Sequence, residues 1–435
     1  MGLPYLCLTV NLIKYCFVIL LFIVWITPCR AQSRTVSGTI ADELTKEAIP
    51  FTAISFKNSF SGTAANESGF YQINISSDYE NDSLQFSFLG YSRKMICVRN
   101  LKSNDSIFLS RNDFQLNEIV VRPNLPIFYI KEALKGIKRN YPKTPFETQS
   151  YFRQIFKEND HYITCNESVF KSYYPNFQDT TKNQHQLLLF RKIDDVKKLA
   201  FMQEEREKRN KKYEKKAVKK NAGKPQPSLI PEEEKADIYD NFGGPESVLR
   251  SANITKSSNS FLDSTQFNDY EYSFAPSTTF DNRELIVIDF KSKGKVDNVK
   301  SAGKIYIDAI SDAFVKVEQS GVFYIPFLYK PVLAVYGLSI GKPSFSITIE
   351  YQEQENLWYP KQIRYTIFAE LEKSHWFEPN EHATFNVENM FLVNSIKTKG
   401  ATTIPEAKRF TSKKKLETQV KNDINVNWNQ INTLK

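Results

Sequence analysis

Histidine, cysteine and glycine are scarce in this chain of 435 residues, with four His, five Cys and 15 Gly. So few glycines, with no P-loop and no G-x-G-x-x-G turn, argue against a doubly wound nucleotide-binding enzyme. Four histidines leave little material for a catalytic zinc centre. Three of the cysteines, Cys7, Cys16 and Cys29, sit in the N-terminal leader. The other two, Cys97 and Cys165, allow at most one disulfide and are expected to be separate buried thiols. Beyond the leader no apolar run is long enough for a membrane-spanning helix. What the chain does have is aromatic residues, 33 Phe and 22 Tyr, and that content excludes wholesale disorder.

Residues 1–31 read as an export signal. Lys14 precedes an apolar run, Tyr15 to Ile26, followed by Thr27-Pro28-Cys29-Arg30-Ala31. Cys29 and Ala31 fit the small-x-small cleavage pattern, and the run is short for a spanning helix. An uncleaved anchor and an acylated Cys29 are the weaker alternatives. Cleavage leaves 404 residues, enough for two or three domains. The expected location is the periplasm or the outer membrane. Net charge is +9, and the stretch Gln203 to Lys220 alone contributes +5 of it. The basic balance therefore belongs to one segment and gives no reason to expect nucleic acid as a partner.

From residue 34 to 121, short apolar runs alternate with turn signals. Strands are expected at Thr35–Ile40, Ile49–Phe56, Phe70–Ile75, Leu84–Tyr91, Ser106–Ser110 and Leu116–Val121. Each shows one apolar face, and two such sheets close on each other as a β-sandwich. The order Val36-Ser-Gly-Thr-Ile40, Pro50-Phe-Thr-Ala-Ile54, Asn66-Glu-Ser-Gly-Phe-Tyr71, Phe88-Leu-Gly-Tyr91 and Leu116-Asn-Glu-Ile-Val-Val121 resembles the carboxypeptidase-regulatory-like domain. That module is a transthyretin-like (Ig-like) sandwich at the front of many exported Bacteroidetes-type envelope proteins, TonB-linked receptors among them. The resemblance implies an accessory domain without catalytic residues.

Residues 126–202 read as a helix-containing connector with the first strands of a second domain. Ile130, Ala133, Leu134 and Ile137 share a helical face that Pro142 ends. Two strands, Phe146–Phe156 and His161–Phe170, flank Asn159-Asp160. This block resembles the region after the sandwich in a family of such envelope proteins whose longer members continue into an outer-membrane barrel. Residues 203–236 form a charged insertion, expected to be a solvated segment, with anionic lipid headgroups as its functional alternative. Residues 237–400 alternate like long antiparallel strands, which favours a curved sheet or half-barrel. A basic polar tail, 401–435, follows. Gly303-Lys-Ile-Tyr-Ile-Asp308, Ala313-Phe-Val-Lys-Val-Glu318 and Leu357-Trp-Tyr-Pro-Lys361 resemble the strands of lipoprotein-carrier half-barrels. That resemblance implies a concave face that binds acyl chains. Between two of these strands runs an unusually apolar connection containing Phe323, Tyr324, Ile325, Phe327, Leu328, Tyr329, Val332 and Leu333. It reads either as core packing or as an apolar binding surface.

Two constellations bear on chemistry. Gly337-Leu-Ser339-Ile-Gly341 matches the G-x-S-x-G elbow, with His375 or His382 as candidate bases. The elbow needs a helix after the serine, whereas Lys342–Glu350 reads as a strand. His375, Glu378 and His382 have helical metal-ligand spacing, but Pro379-Asn380 breaks such a helix. Asp308 and Asp312 are expected to serve a hairpin turn. The expectation is a mainly β protein: a sandwich, then an antiparallel curved sheet with a few helices. It is expected to bind a protein partner or an apolar ligand in the cell envelope, without cofactor, metal or catalytic residues. A serine hydrolase built on Ser339 is the alternative.

Overall fold

The computed structural model describes residues 33–112 apart from 58 and 60, then 123–193, 244–254, 260–326, 330–335, 337–375, 379–420, 428 and 431–433. Residues 1–31, expected to be an export signal, the insertion 203–236 and the strand expected at Leu116–Val121 lie outside the described residues.

The sandwich forms, with two short strands, Gly62–Ala64 and Lys94–Cys97, that the alternation did not mark. Strands β4 (Phe70–Ile75), β1 (Arg34–Asp42) and β7 (Asp105–Leu109) make one sheet. β3 (Gly62–Ala64), β2 (Ala53–Phe56), β5 (Ser83–Ser87) and β6 (Lys94–Cys97) make the other. Alternate residues, Val36 and Ile40, Ile54 and Phe56, Tyr71 and Ile73, Leu84 and Phe86, meet in one core. Asp42 is buried at its edge. It accepts hydrogen bonds from the Leu44 and Thr45 amides, Tyr91 Oη and Arg111 Nε. The Thr45 amide first, and then Arg111, hold its carboxyl well below the ordinary range. Cys97 and Cys165 are both half-buried free thiols.

Helix α1 (Pro126–Asn140) follows, with proline in its first turn and Ile130, Ala133 and Ile137 buried. Ten strands then build one open antiparallel sheet: β8 (Phe146–Glu158), β9 (His161–Tyr174), β10 (Gln184–Ile193), β11 (Tyr270–Phe280), β12 (Arg283–Ser292), β13 (Val299–Asp308), β14 (Phe314–Phe323), β16 (Ser344–Gln354), β17 (Leu357–Lys373) and β18 (Glu381–Lys397). Their order is β10-β9-β8-β18-β17-β16-β14-β13-β12-β11, and short β15 (Leu338–Ile340) pairs with β17. β18 returns to β8, so the last strand joins the first hairpin to the rest. Tight turns close the hairpins with paired positive-φ residues: Asn159-Asp160, Asp281-Asn282, Asp297-Asn298 and Glu355-Asn356. At the β13–β14 turn Asp308 accepts from the Ile310 and Ser311 amides and pairs with Arg283, a turn role for its carboxylate.

The sheet is curled, with an inner and an outer face. Tyr141, just past α1, stacks 4.3 Å from Phe177 beyond β9 and lies 5.6 Å from Tyr351 on β16. Its hydroxyl donates to the Phe314 carbonyl on β14. A flat sheet would spread these partners over about 24 Å. α1 packs so closely that a Cβ on Gly136 would lie 3.0 Å from Asn140 Nδ2 and 3.5 Å from the Asp312 carbonyl. Helix α2 (Pro245–Ser251) adds Val248 and Leu249 to the same interior.

The sandwich docks on the outer face. Ala64 packs with Tyr151, Val169, Leu188, Met390, Leu392 and Ile431. Phe51, at φ +60°, carries the Arg364 guanidinium on its ring at 3.9 Å and accepts from Gln362 Nε2. At the other end of the sheet Asp281 accepts from Ser87 Oγ and Arg93 Nε. The C-terminal tail is threaded between the two: Asn432 Nδ2 donates to the Gly62 carbonyl, and its Oδ1 accepts from the Asn74 amide. Beneath this contact Lys361 is 3% exposed, and its Nζ has no hydrogen-bond partner among the described residues. Burial pushes it down to about 8, against the pull of Glu350.

Candidate functional site at the mouth of the curled sheet

Strand pairing assigns the inner-face residues. Phe345 lies opposite Ile367, Ile367 opposite Val387, and Val387 opposite Phe156. Phe385 lies opposite Ala369, and Leu371 opposite Ala383. Directly opposite residues share a face, so one row of apolar side chains crosses β16, β17, β18 and β8. These residues form a cluster of their own, Phe156, Ile163, Ile367, Ala383, Phe385 and Val387, with Tyr365 and Leu371 packed against it. It stands apart from the larger core around α1 and α2. We call its end of the sheet the mouth and the α1-filled end the base.

A polar layer separates the two. Gln154, Asn166 and Asn389 are each at most 3% exposed. Gln154 Nε2 donates to Asn389 Oδ1 at 3.2 Å, and Thr164 Oγ1 donates to Asn166 Oδ1 at 3.2 Å. Ser168 Oγ, on the same face, has no hydrogen-bond partner among the described residues. All of these groups are neutral. At the rim, Glu158 lies opposite Phe385, and burial first, then Glu381, pushes its pKa up.

The rim includes part of the apolar connection. Phe323 ends β14 with its ring 4.8 Å from Phe345, whose own ring lies on Gly321 of the neighbouring strand. A Cβ there would sit 2.7 Å from the Phe345 ring, so glycine makes the overlay feasible. Tyr324 bonds through its amide to the Asn298 carbonyl and carries Lys295 Nζ 4.0 Å above its ring. Tyr324 and Ile325 are half-buried. Phe327, Leu328 and Tyr329 lie outside the described residues. Val332 and Leu333 belong to a short helix, α3 (Lys330–Val335), where Leu333 is half-buried and the Val332 side chain is outside the described ones.

The serine constellation is partly brought together. Ser339 on β15 lies opposite Glu372, and Glu372 lies opposite His382. The carboxylate thus occupies the middle strand. A triad needs the imidazole between hydroxyl and carboxylate. His382 Nε2 is 3.9 Å from Glu372, and His375 Nε2 contacts Glu381 at 2.7 Å. Ser339 makes no hydrogen bond to either histidine among the described residues. It is followed by β16, as the sequence pattern predicts, where an elbow needs a helix. Glu378 lies outside the described residues, and among them no three His, Cys, Asp or Glu side chains are grouped to hold a metal.

Residues 36–121 match the family model of the CarboxypepD_reg-like domain. The CarboxypepD_reg-like domain thus comprises the sandwich and the segment just beyond it, and contains none of the mouth residues. No curated protein matches the chain. Among solved structures, a DUF1329 family protein from Desulfovibrio piger is 5% identical with a TM-score of 0.22 over 64% of this chain and 94% of its own. Lipovitellin is 7% identical with a TM-score of 0.25, over 61% of this chain and 26% of its own. A protein from Bacteroides fragilis, described as membrane-associated and of unknown function, is 11% identical with a TM-score of 0.15 over 84% and 98%. At these scores none of the three informs the function.

The row Phe156–Val387–Ile367–Phe345 was visible in the sequence only as strand alternation. Nothing there marked it as separate from the core. The polar layer had no signal at all, since Gln154, Asn166 and Asn389 meet only through pairing across three strands.

Proposed function

We propose that the protein is a non-enzymatic binding module of the cell envelope that holds an apolar ligand at the mouth of its curled sheet. The observation that carries this reading is the inner-face cluster at the mouth, detached from the main core and bordered by Phe323, Phe345 and Tyr324. Apolar side chains on an inner face beside a neutral polar layer suit a ligand with a hydrocarbon part and an uncharged polar group. The export signal read in residues 1–31 supports a location in the periplasm or at the outer membrane. Among the described residues no helix is long and apolar enough to cross a membrane. The CarboxypepD_reg-like domain is docked on the opposite face of the sheet.

Titration of the purified protein with N-phenyl-1-naphthylamine tests the reading. Saturable fluorescence enhancement is the expected result, and a linear, non-saturating signal overturns it. Hydrolysis of p-nitrophenyl butyrate is expected to be unchanged by Ser339→Ala. A turnover that disappears with this substitution would establish the hydrolase instead.

A further inference from the structure

Eight large apolar side chains are exposed among the described residues. Three of them belong to one patch. Leu125 is 74% exposed just before α1, Phe128 is 42% exposed in its first turn, and Phe274 is 38% exposed on edge strand β11. Tyr129 joins them, with ring centroids 5.4 Å from Phe128 and 5.7 Å from Phe274.

The patch is bordered by lysines. Lys131 Nζ lies 5.9 Å from the Phe267 ring, and the adjoining turn receives Lys293, whose Nζ donates to the Asn268 carbonyl and whose amide donates to the Asp269 carbonyl. The β12–β13 hairpin thus stands beside α1 and presents Lys291, Lys293, Lys295 and Lys300, all exposed. A Cβ on Gly294 at its tip would meet nothing within 4 Å. None of these five lysines is in an ion pair among the described residues, whereas Lys135, Lys157, Lys304 and Lys316 elsewhere all are. Asp269, Glu271 and Asp297 on the same elements offset part of the charge.

We propose that this face, the start of α1 with β11 and the β12–β13 hairpin, docks on an anionic lipid bilayer. Exposed Phe and Leu side chains enter the headgroup boundary while neighbouring ammonium groups meet lipid phosphates. The excess of exposed lysines over carboxylates around the patch favours this occupant over an apolar protein surface, whose buried centre is depleted of charge. Apart from Lys295, which lies over Tyr324, the proposal stands on residues other than those of the ligand reading, and it would bring the mouth close to a source of apolar molecules.

The test is cosedimentation of the exported form of the protein with vesicles of equimolar phosphatidylglycerol and phosphatidylcholine, compared with pure phosphatidylcholine. Binding to the anionic vesicles that weakens with salt is expected. Each reversal in Lys131→Glu/Lys293→Glu should lower the partition coefficient about fivefold, and Leu125→Asp/Phe128→Asp should lower it at least as far. Retained N-phenyl-1-naphthylamine binding in these variants shows that the fold and the ligand site are intact. No binding by the wild type, including the case in which the patch takes a protein partner, overturns the proposal. So does equal binding to both vesicles, or insensitivity to the lysine reversals.

Discussion

The base and the mouth of the curled sheet are made from the same strands with the same alternation, yet they have different fates. At the base, inner-face residues such as Ile349, Tyr351, Ile363 and Phe391 meet Tyr141, Val248 and Phe261 and become core. At the mouth, Phe156, Ile367 and Phe385 face one another across the sheet, and neither α1 nor α2 belongs to their cluster. The lesson is that alternation decides which face a side chain occupies, while a different part of the chain decides what covers it. Helices cover the base, whereas the mouth has a rim of half-exposed aromatics.

The comparison predicts unequal responses to truncation. Tyr141→Ala at the base should cost about 3–5 kcal/mol, because it removes a fully buried ring and leaves the Phe314 carbonyl without its donor. Urea denaturation would measure it, and a loss below about 1 kcal/mol would mean that the base is not the core it looks like.

Acid should also act on the base before the mouth. His185, near the base end of β10, contacts Ser172 Oγ and the Tyr174 ring, and its amide carbonyl accepts from the Phe410 amide. Burial pushes it down to about 4, against the opposing pull of Glu246. The unfolded chain therefore binds a proton near pH 6.5 that the folded chain refuses until about pH 4. The stability this group allows is complete above pH 6.5 and falls through that window, by about 2 kcal/mol after allowance for partial exposure. His185→Gln should flatten this part of the profile. Hydrogen exchange should show β10 amides losing protection between pH 6.5 and 4 ahead of those at the start of β18.

The smallest effect on stability belongs to the mouth, where Phe345→Ala should cost about 1–2 kcal/mol because the ring is only half-buried. Its effect on the apolar probe should be the larger one, a weakening of about tenfold, or about 1.4 kcal/mol. If it destabilised the fold as much as Tyr141→Ala while leaving probe binding intact, base and mouth would be one continuous core and the comparison would fail.

Much of the architecture could be read before folding. The pair Asn159-Asp160 announced a hairpin because Asn and Asp tolerate positive φ at little cost. The positions Ile130, Ala133 and Ile137 announced a helix with one buried face. The candidate site was legible in part. Phe323, Tyr324 and Ile325 were marked by an apolar run that no strand period explained, and they border the mouth. Phe345, Ile367, Phe385 and Phe156 were not singled out, since each is unremarkable in its own strand. Ser339 and His382 had a recognisable spacing, and strand register then put Glu372 between them.

Sequence alone determined the kind of element each segment makes and which of its faces avoids water, because those follow from local backbone sterics and from period-two or period-3.6 burial. Tertiary structure decided that β18 would return to β8, that the sandwich would take the outer face, and that α1 would fill one end of the sheet only. Those outcomes depend on contacts between residues hundreds of positions apart. The free energy of such contacts depends on which surfaces meet, and no local pattern records that.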